Sequence, residues 1–238
     1  MKAITWLSPG DPPERFPPVE STLDDPPGLL AAGGDLSTAR LLAAYRRGIF
    51  PWYSSGQPIL WWCPDPRAVL FPAQFRCSRS LAKTLRGGDL STRLDHDFDA
   101  VVAACAAPRA RSPGTWITAD MRAAYLALHR AGHAHSIETW QGDQLVGGLY
   151  GVQLGRVFFG ESMFSVVTDA SKVALSRLVG ECLARGIVVI DCQLASQHLA
   201  SLGARSIRRS EFSALLRQHA SAEPNAQRSG AAASWSNK

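Results

Sequence analysis

Two short polar clusters, each set directly behind an apolar run, carry the side chains best suited to chemistry. Glu161-Ser162 follows Val157-Phe158-Phe159-Gly160, and Asp191-Cys192-Gln193 follows Ile187-Val188-Val189-Ile190. Side chains alternate across a strand, so residues two apart point the same way. Asp191 and Gln193 are therefore expected on one face at the carboxyl end of a strand, where open α/β sheets bind ligands. Sequence alone leaves other readings open: Asp191 could cap a helix beginning near Ala195, and Glu161 could be a solvated surface carboxylate. The histidine cluster His129-Arg130-Ala131-Gly132-His133-Ala134-His135 has neither HExxH spacing nor partnered cysteines, so no metal is expected.

The elements that must position these groups follow from periodicity. Leu175, Leu178, Val179, Cys182 and Leu183 fall at i, i+3, i+4, i+7 and i+8, the stripe of a helix packed on a sheet, and Gly186 ends it. Ile187 to Ile190 is apolar without alternation, as in a strand covered on both faces. Upstream, Ser136 to Trp140, Gln144 to Val152 and Arg156 to Glu161 form three strands joined by turns at Gly142-Asp143 and Leu154-Gly155. Ser37 caps a helix running to Arg47, and Thr118 caps another that buries Met121, Ala124, Tyr125 and Leu128. Further helices are expected over Ser80 to Arg86 and Phe98 to Ala106, and strands over Ala68 to Phe71 and Thr92 to Asp95. An antiparallel meander followed by helix and buried strand indicates a mixed α/β sheet, not a doubly wound parallel one.

Residues 1 to 35 are rich in proline and glycine, so they are expected to dock on the rest without forming regular helix or central strand. Trp52, Trp61 and Trp62 either plug a small N-terminal domain onto a larger one or wall a ligand pocket. The expected division is a small domain over 1–65, a larger one over 66–220, and a disordered tail over 221–238. Of the 238 residues 46% are apolar and 19% charged, the mixture of a folded chain. A formal net charge of +5 favours an anionic partner or simply aids solubility. The five cysteines have no C-x-x-C spacing, which suits thiols in a reducing cytosol. No signal segment or membrane-spanning apolar run is evident, so a cytoplasmic protein is expected.

Several blocks, in order, resemble the leucyl/phenylalanyl-tRNA–protein transferase family. They are Gly33-Gly34-Asp35-Leu36-Ser37, Arg47-Gly48-Ile49-Phe50-Pro51-Trp52, Trp61-Trp62-Cys63-Pro64-Asp65-Pro66-Arg67, Thr115-Trp116-Ile117-Thr118, Gly132-His133-Ala134-His135-Ser136-Ile137-Glu138, Gly160-Glu161-Ser162-Met163-Phe164-Ser165 and Asp191-Cys192-Gln193. The likeness runs from about Pro26 to Arg217. It implies an acetyltransferase-like larger domain behind a small N-terminal one. It also implies transfer of Leu or Phe, less efficiently Met, from aminoacyl-tRNA to the N-terminal Arg or Lys of an acceptor protein, marking that protein for degradation. No cofactor or metal is implied.

That reaction is aminolysis of an ester, and much of its rate can come from holding amine and carbonyl together. The resemblance points to Trp52, Trp116, Phe158 and Met163, with Ser162 beside them, as walls of an apolar substrate pocket, although Phe158 and Met163 could be plain core. Asp191 is expected to orient Gln193 and polarise the reacting amine. Gln193, a poor proton acceptor, is expected to position by hydrogen bonding while the ribose hydroxyl or water carries the proton. Glu161 is expected to face the basic side chain of the acceptor. Arg40, Arg46, Arg47, Arg67, Arg76, Arg79, Lys83 and Arg86 are candidates for tRNA phosphates, or solvated surface charges. The alternatives are an acetyl-CoA-dependent N-acyltransferase, a tRNA-dependent transferase building a different peptide, and a non-catalytic tRNA-binding protein. Against the first, Thr168-Asp169-Ala170-Ser171 stands where a glycine-rich pyrophosphate turn would open the helix.

Overall fold

The computed structural model of the chain describes residues 3–107 and 115–221. The N-terminal part holds β1 (Thr5–Leu7), β2 (Leu29–Gly33), α1 (Thr38–Arg46), β3 (Phe50–Pro51) and β4 (Leu60–Trp62). Its strands form a four-stranded sheet in the order β1-β2-β4-β3. β2 is thus a central strand, contrary to expectation. The run Leu29-Leu30-Ala31-Ala32 contains no proline, so it supplies every ladder donor even though prolines crowd the residues before it. The tail beyond residue 221 and the expected loop at Ser112-Pro113-Gly114 lie outside the described residues.

From Arg67 the elements are β5 (Arg67–Leu70), α2 (Arg79–Gly87), β6 (Ser91–Leu94), α3 (Phe98–Ala106), α4 (Ala119–Arg130), β7 (Ala134–Gln141), β8 (Gln144–Leu154) and β9 (Val157–Ser165). They continue with α5 (Ala170–Arg185), β10 (Val189–Gln193), α6 (Gln197–Ser201), β11 (Arg205–Ile207) and α7 (Arg209–His219). One seven-stranded sheet runs β11-β5-β10-β9-β8-β7-β6. All its pairings are antiparallel except β9 with β10, which run parallel. The mixed α/β class read from the sequence is the class observed. Helix starts agree as well: the side chains of Ser37 and Thr118 accept hydrogen bonds from the backbones of Arg40 and Met121.

Adjacent strand residues divide between two cores. Leu149, Phe158 and Ile190 face α5 and α2, whereas Tyr150, Phe159 and Val189 face α1, α3, α4 and α7. The second core also takes Trp61, fully buried and edge-on to Phe16 with ring centroids 5.0 Å apart. Leu183, expected on the buried stripe of α5, is instead 55% exposed, because it sits at the edge of that stripe, about 100° around the helix from the buried Cys182. No helix among the described residues is long and apolar enough to cross a membrane.

Candidate active site

Two departures from regular pairing create the site. β9 and β10 pair in parallel only as far as Asp191 opposite Phe159. Beyond that point Gly160 to Met163 and Cys192-Gln193 diverge, and a cavity of about 130 Å³ opens between them. Across β8 the register places Tyr150 opposite Ser162 and Gly151 opposite Gly160, leaving Glu161 as the extra residue of a β-bulge. A bulge re-aims side chains. Here it keeps Glu161 on the α1 and α4 face with Phe159, yet returns Met163 to the α5 face.

The cavity is lined by Leu149, Met163, Leu175, Leu178, Ile190 and Leu199, with Glu161, Ser162 and Gln193 as polar groups at its wall. Glu161, Cys192 and Gln193 also line a second cavity of about 140 Å³, whose other walls are Phe50, Pro51, Trp52, Trp116 and Leu194. The predicted pocket residues therefore fall into two spaces. Met163 and Ser162 belong to the first and the tryptophans to the second. Phe158 lines neither: it is fully buried in the α5-side core, its ring against Gly151, and is structural.

Glu161 is held by two phenols. The Tyr45 hydroxyl lies 2.8 Å from Oε1, the Tyr125 hydroxyl 2.6 Å from Oε2, and the hydroxyls are 2.9 Å from each other. Loss of hydration raises the Glu161 carboxyl to about 7; Tyr125, Tyr45 and Arg67 oppose the rise and Asp191 adds to it. The Tyr150 hydroxyl is buried nearby with no hydrogen-bond partner among the described residues. Neither Tyr45 nor Tyr125 is prominent in the sequence. The usable signal is that a tyrosine on the buried stripe of a helix must find a partner for its hydroxyl.

Asp191 is fully buried and caps no helix; Ser196 caps α6 instead. Arg67 grips it with two hydrogen bonds, Nε to Oδ1 at 2.7 Å and Nη2 to Oδ2 at 2.6 Å. The guanidinium also lies between the rings of Phe50 and Phe212, 4.8 and 4.9 Å from their centroids. Asp191 Oδ1 accepts the backbone N–H of Gln193 at 3.0 Å. Gln193 has φ +56°, and the pairing with β5 shifts register between the two residues, so the strand alternation that would put them on one face is interrupted. Gln193 instead lines both cavities, and its Nε2 is buried without a partner among the described residues. Burial pushes the Cys192 thiol up to about 12, which keeps it protonated and unsuited to nucleophilic attack at neutral pH.

The basic candidates separate by burial. Arg67 is interior and cannot meet a phosphate. Nor can Arg40, fully buried, 3.1 Å from Asp35 and donating to the Asp11 carbonyl at 2.8 Å. Arg47 is spent on the carbonyls of Phe16 and Pro17 at 3.0 and 2.7 Å. Arg46, Arg76, Arg79, Lys83 and Arg86 are exposed. The last three share one face of α2 at i, i+4 and i+7. Asp95, His129 and His135 bring possible metal-ligating atoms within 4.8 Å of one another. Their facing atoms are already engaged: His135 Nδ1 meets Asp95 Oδ2 at 2.7 Å, His129 Nδ1 meets the Ala134 carbonyl at 2.7 Å, and Asp95 Oδ1 accepts the Ser136 N–H.

The protein is thus a mixed α/β protein with an apolar cavity at the end of a parallel strand pair and polar groups at the cavity wall. Family models match in two adjoining blocks: the leucyl/phenylalanyl-tRNA protein transferase N-terminal domain over residues 34–65, and leucyl/phenylalanyl-tRNA protein transferase over residues 69–217. The leucyl/phenylalanyl-tRNA–protein transferase of Methylococcus capsulatus is 58% identical over 226 residues, 94% of this chain and 96% of that one. That of Pseudomonas aeruginosa is 56% identical over 221 residues, 93% and 97% of the two chains. The chain belongs to the leucyl/phenylalanyl-tRNA protein transferase family and is an aminoacyltransferase. Among solved structures, a GCN5-related N-acetyltransferase from Kribbella flavida is similar at 8% identity and a TM-score of 0.40, over 68% of this chain and 58% of that one.

Proposed function

We propose that the protein transfers Leu or Phe, and less well Met, from aminoacyl-tRNA to the N-terminal Arg or Lys of an acceptor polypeptide in the cytoplasm, marking it for degradation. The observation that carries this reading is the apolar cavity between β9 and β10, bordered by Glu161 and Gln193. Its volume of about 130 Å³ is close to that of engineered protein cavities of about 150 Å³ that accept a benzene ring, so it suits one leucyl or benzyl group. A pocket with only apolar contacts separates such side chains by about 1–3 kcal/mol per methylene, which fits an enzyme accepting several of them.

With the donor side chain in that cavity, its ester carbonyl lies at the shared wall of Glu161, Cys192 and Gln193. The terminal adenosine occupies the second cavity, stacked on Trp52 and Trp116. Gln193, its backbone N–H fixed by Asp191, uses its free amide to orient donor or acceptor and takes no proton itself. The exposed stripe of Arg79, Lys83 and Arg86, with Arg76 and Arg46, tracks the tRNA phosphates. In this reading residues 1–65 form the small domain that carries Trp52, and residues 66–220 the catalytic one. The test is to incubate charged Leu-tRNA with an Arg-initiated peptide and weigh the product. A mass gain of one leucyl residue supports the reading, and an unchanged peptide beside intact tRNA binding leaves a non-catalytic tRNA-binding protein.

A further inference from the structure

Glu161, Tyr45 and Tyr125 form a closed triangle of side chains, in which four oxygens meet along edges of 2.8, 2.6 and 2.9 Å. Each edge is a hydrogen-bond distance and so requires one hydrogen. The phenols supply two. With Glu161 ionised both phenols donate to the carboxylate, and the edge between the two hydroxyls holds no hydrogen. With Glu161 protonated the three groups donate around the ring in one sense and every edge is filled. The triangle is therefore a receptacle for one proton, and Glu161 brings it to the wall of both cavities.

We propose that Glu161, closed into a ring by Tyr45 and Tyr125, is the base that takes the proton from the acceptor's α-ammonium group. The proposal rests on the aminoacyl-transfer reading. In the step, an N–H bond of the ammonium breaks, its electron pair stays on nitrogen, and the proton forms an O–H bond on Glu161. The freed amine attacks the ester carbonyl; a second N–H proton leaves with the ribose oxygen as a hydroxyl. Glu161 then returns its proton to solvent. Tyr45 and Tyr125 act through Glu161 and are positioning residues. This role differs from the expected pairing of Glu161 with the acceptor's basic side chain: here the carboxylate meets the α-ammonium instead.

The surroundings favour proton exchange near neutrality. Burial holds the Glu161 carboxyl at about 7, close to the value of about 7.7–8.0 for a free α-amine. Among the described residues, the charged or titratable groups that bear on it are Tyr45 from α1, Tyr125 from α4, Tyr150 from β8, Asp191 and Cys192 from β10, and Arg67 from β5. Arg67 and Asp191 neutralise one another at 2.6 Å, so neither sign dominates Glu161.

The experiment is the single-turnover transfer rate of the intact enzyme, with saturating Leu-tRNA and Arg-initiated peptide, across pH. Glu161→Gln should slow transfer by about 10²–10⁴-fold near pH 7. The deficit should shrink above about pH 9, where the acceptor amine is already free. A deficit equal at every pH, or none, overturns the proposal. Infrared spectra of the wild-type protein should contain a protonated-carboxyl band that fades between about pH 6 and pH 8 and is missing from Glu161→Gln; its absence from the wild type overturns the ring. Tyr45→Phe and Tyr125→Phe each remove a donor to the carboxylate and should move that transition up by about one unit; an unmoved transition contradicts their part. Failure of the wild-type enzyme to transfer any residue would instead overturn the underlying functional reading, and the infrared result would still report on the ring.

Discussion

Glu161 is a carboxyl whose folded environment works against its ionised form, which has a consequence for stability separate from catalysis. Its carboxyl rises from an ordinary 4.5 to about 7 on folding. The native state then holds a proton that the unfolded chain releases, so the contribution is complete below about pH 4.5 and lost as pH rises through 7. The difference corresponds to ~3 kcal/mol. Urea unfolding of the wild type should lose stability across this window, and Glu161→Gln should remove that part of the slope. Arg67 is the second residue whose role the structure rewrites. Arg67→Met strands a buried carboxylate and should cost about 3–5 kcal/mol, whereas Arg67→Met combined with Asp191→Leu should recover much of it. Arg67→Lys keeps the charge but loses the two-pronged grip and the stacking between Phe50 and Phe212. It should lower kcat through Gln193 while the salt dependence of tRNA binding stays as in the wild type. A phosphate contact would do the reverse.

At the scale of elements, the site is made by irregularities in strands whose regular parts the sequence reveals well. The helices from Ser37 and Thr118 are legible because caps and apolar periodicity agree, and the β7-β8-β9 meander because its turns carry Gly142 and Gly155. The bulge at Glu161 and the left-handed turn at Gln193 are not legible, because both depend on a neighbouring strand that periodicity does not see. The same blindness put Arg67 on the surface: nothing near it in sequence announces Asp191, 124 positions away. Gly151 shows how tightly the bulge is built. A Cβ there would meet the Phe159 carbonyl oxygen and approach the Phe158 ring to 2.5 Å. Gly151→Ala should therefore cost about 1–3 kcal/mol in thermal or urea unfolding. By displacing Glu161 it should also reduce transfer more than the stability loss alone explains.

Over the whole molecule, the proposed reading seats the donor at one end of a parallel strand pair of the seven-stranded sheet, while Trp52, directly after β3, lines the second cavity across the shared wall. No α2 residue lines either cavity, so on the proposed reading substitutions in its basic stripe should affect tRNA affinity alone. Replacing Arg79 or Lys83 by Ala should weaken binding and reduce the slope of log K against log salt by about one unit each, with kcat unchanged at saturation. The central claim is that the cavity between β9 and β10 seats the side chain that is transferred. The direct measurement is the ratio of Phe to Leu added to an Arg-initiated peptide from equal amounts of the two charged tRNAs, comparing wild type with Met163→Ala. Truncating Met163 enlarges the cavity and should shift the ratio towards Phe by about tenfold or more. An unchanged ratio in a folded, active variant would contradict the assignment.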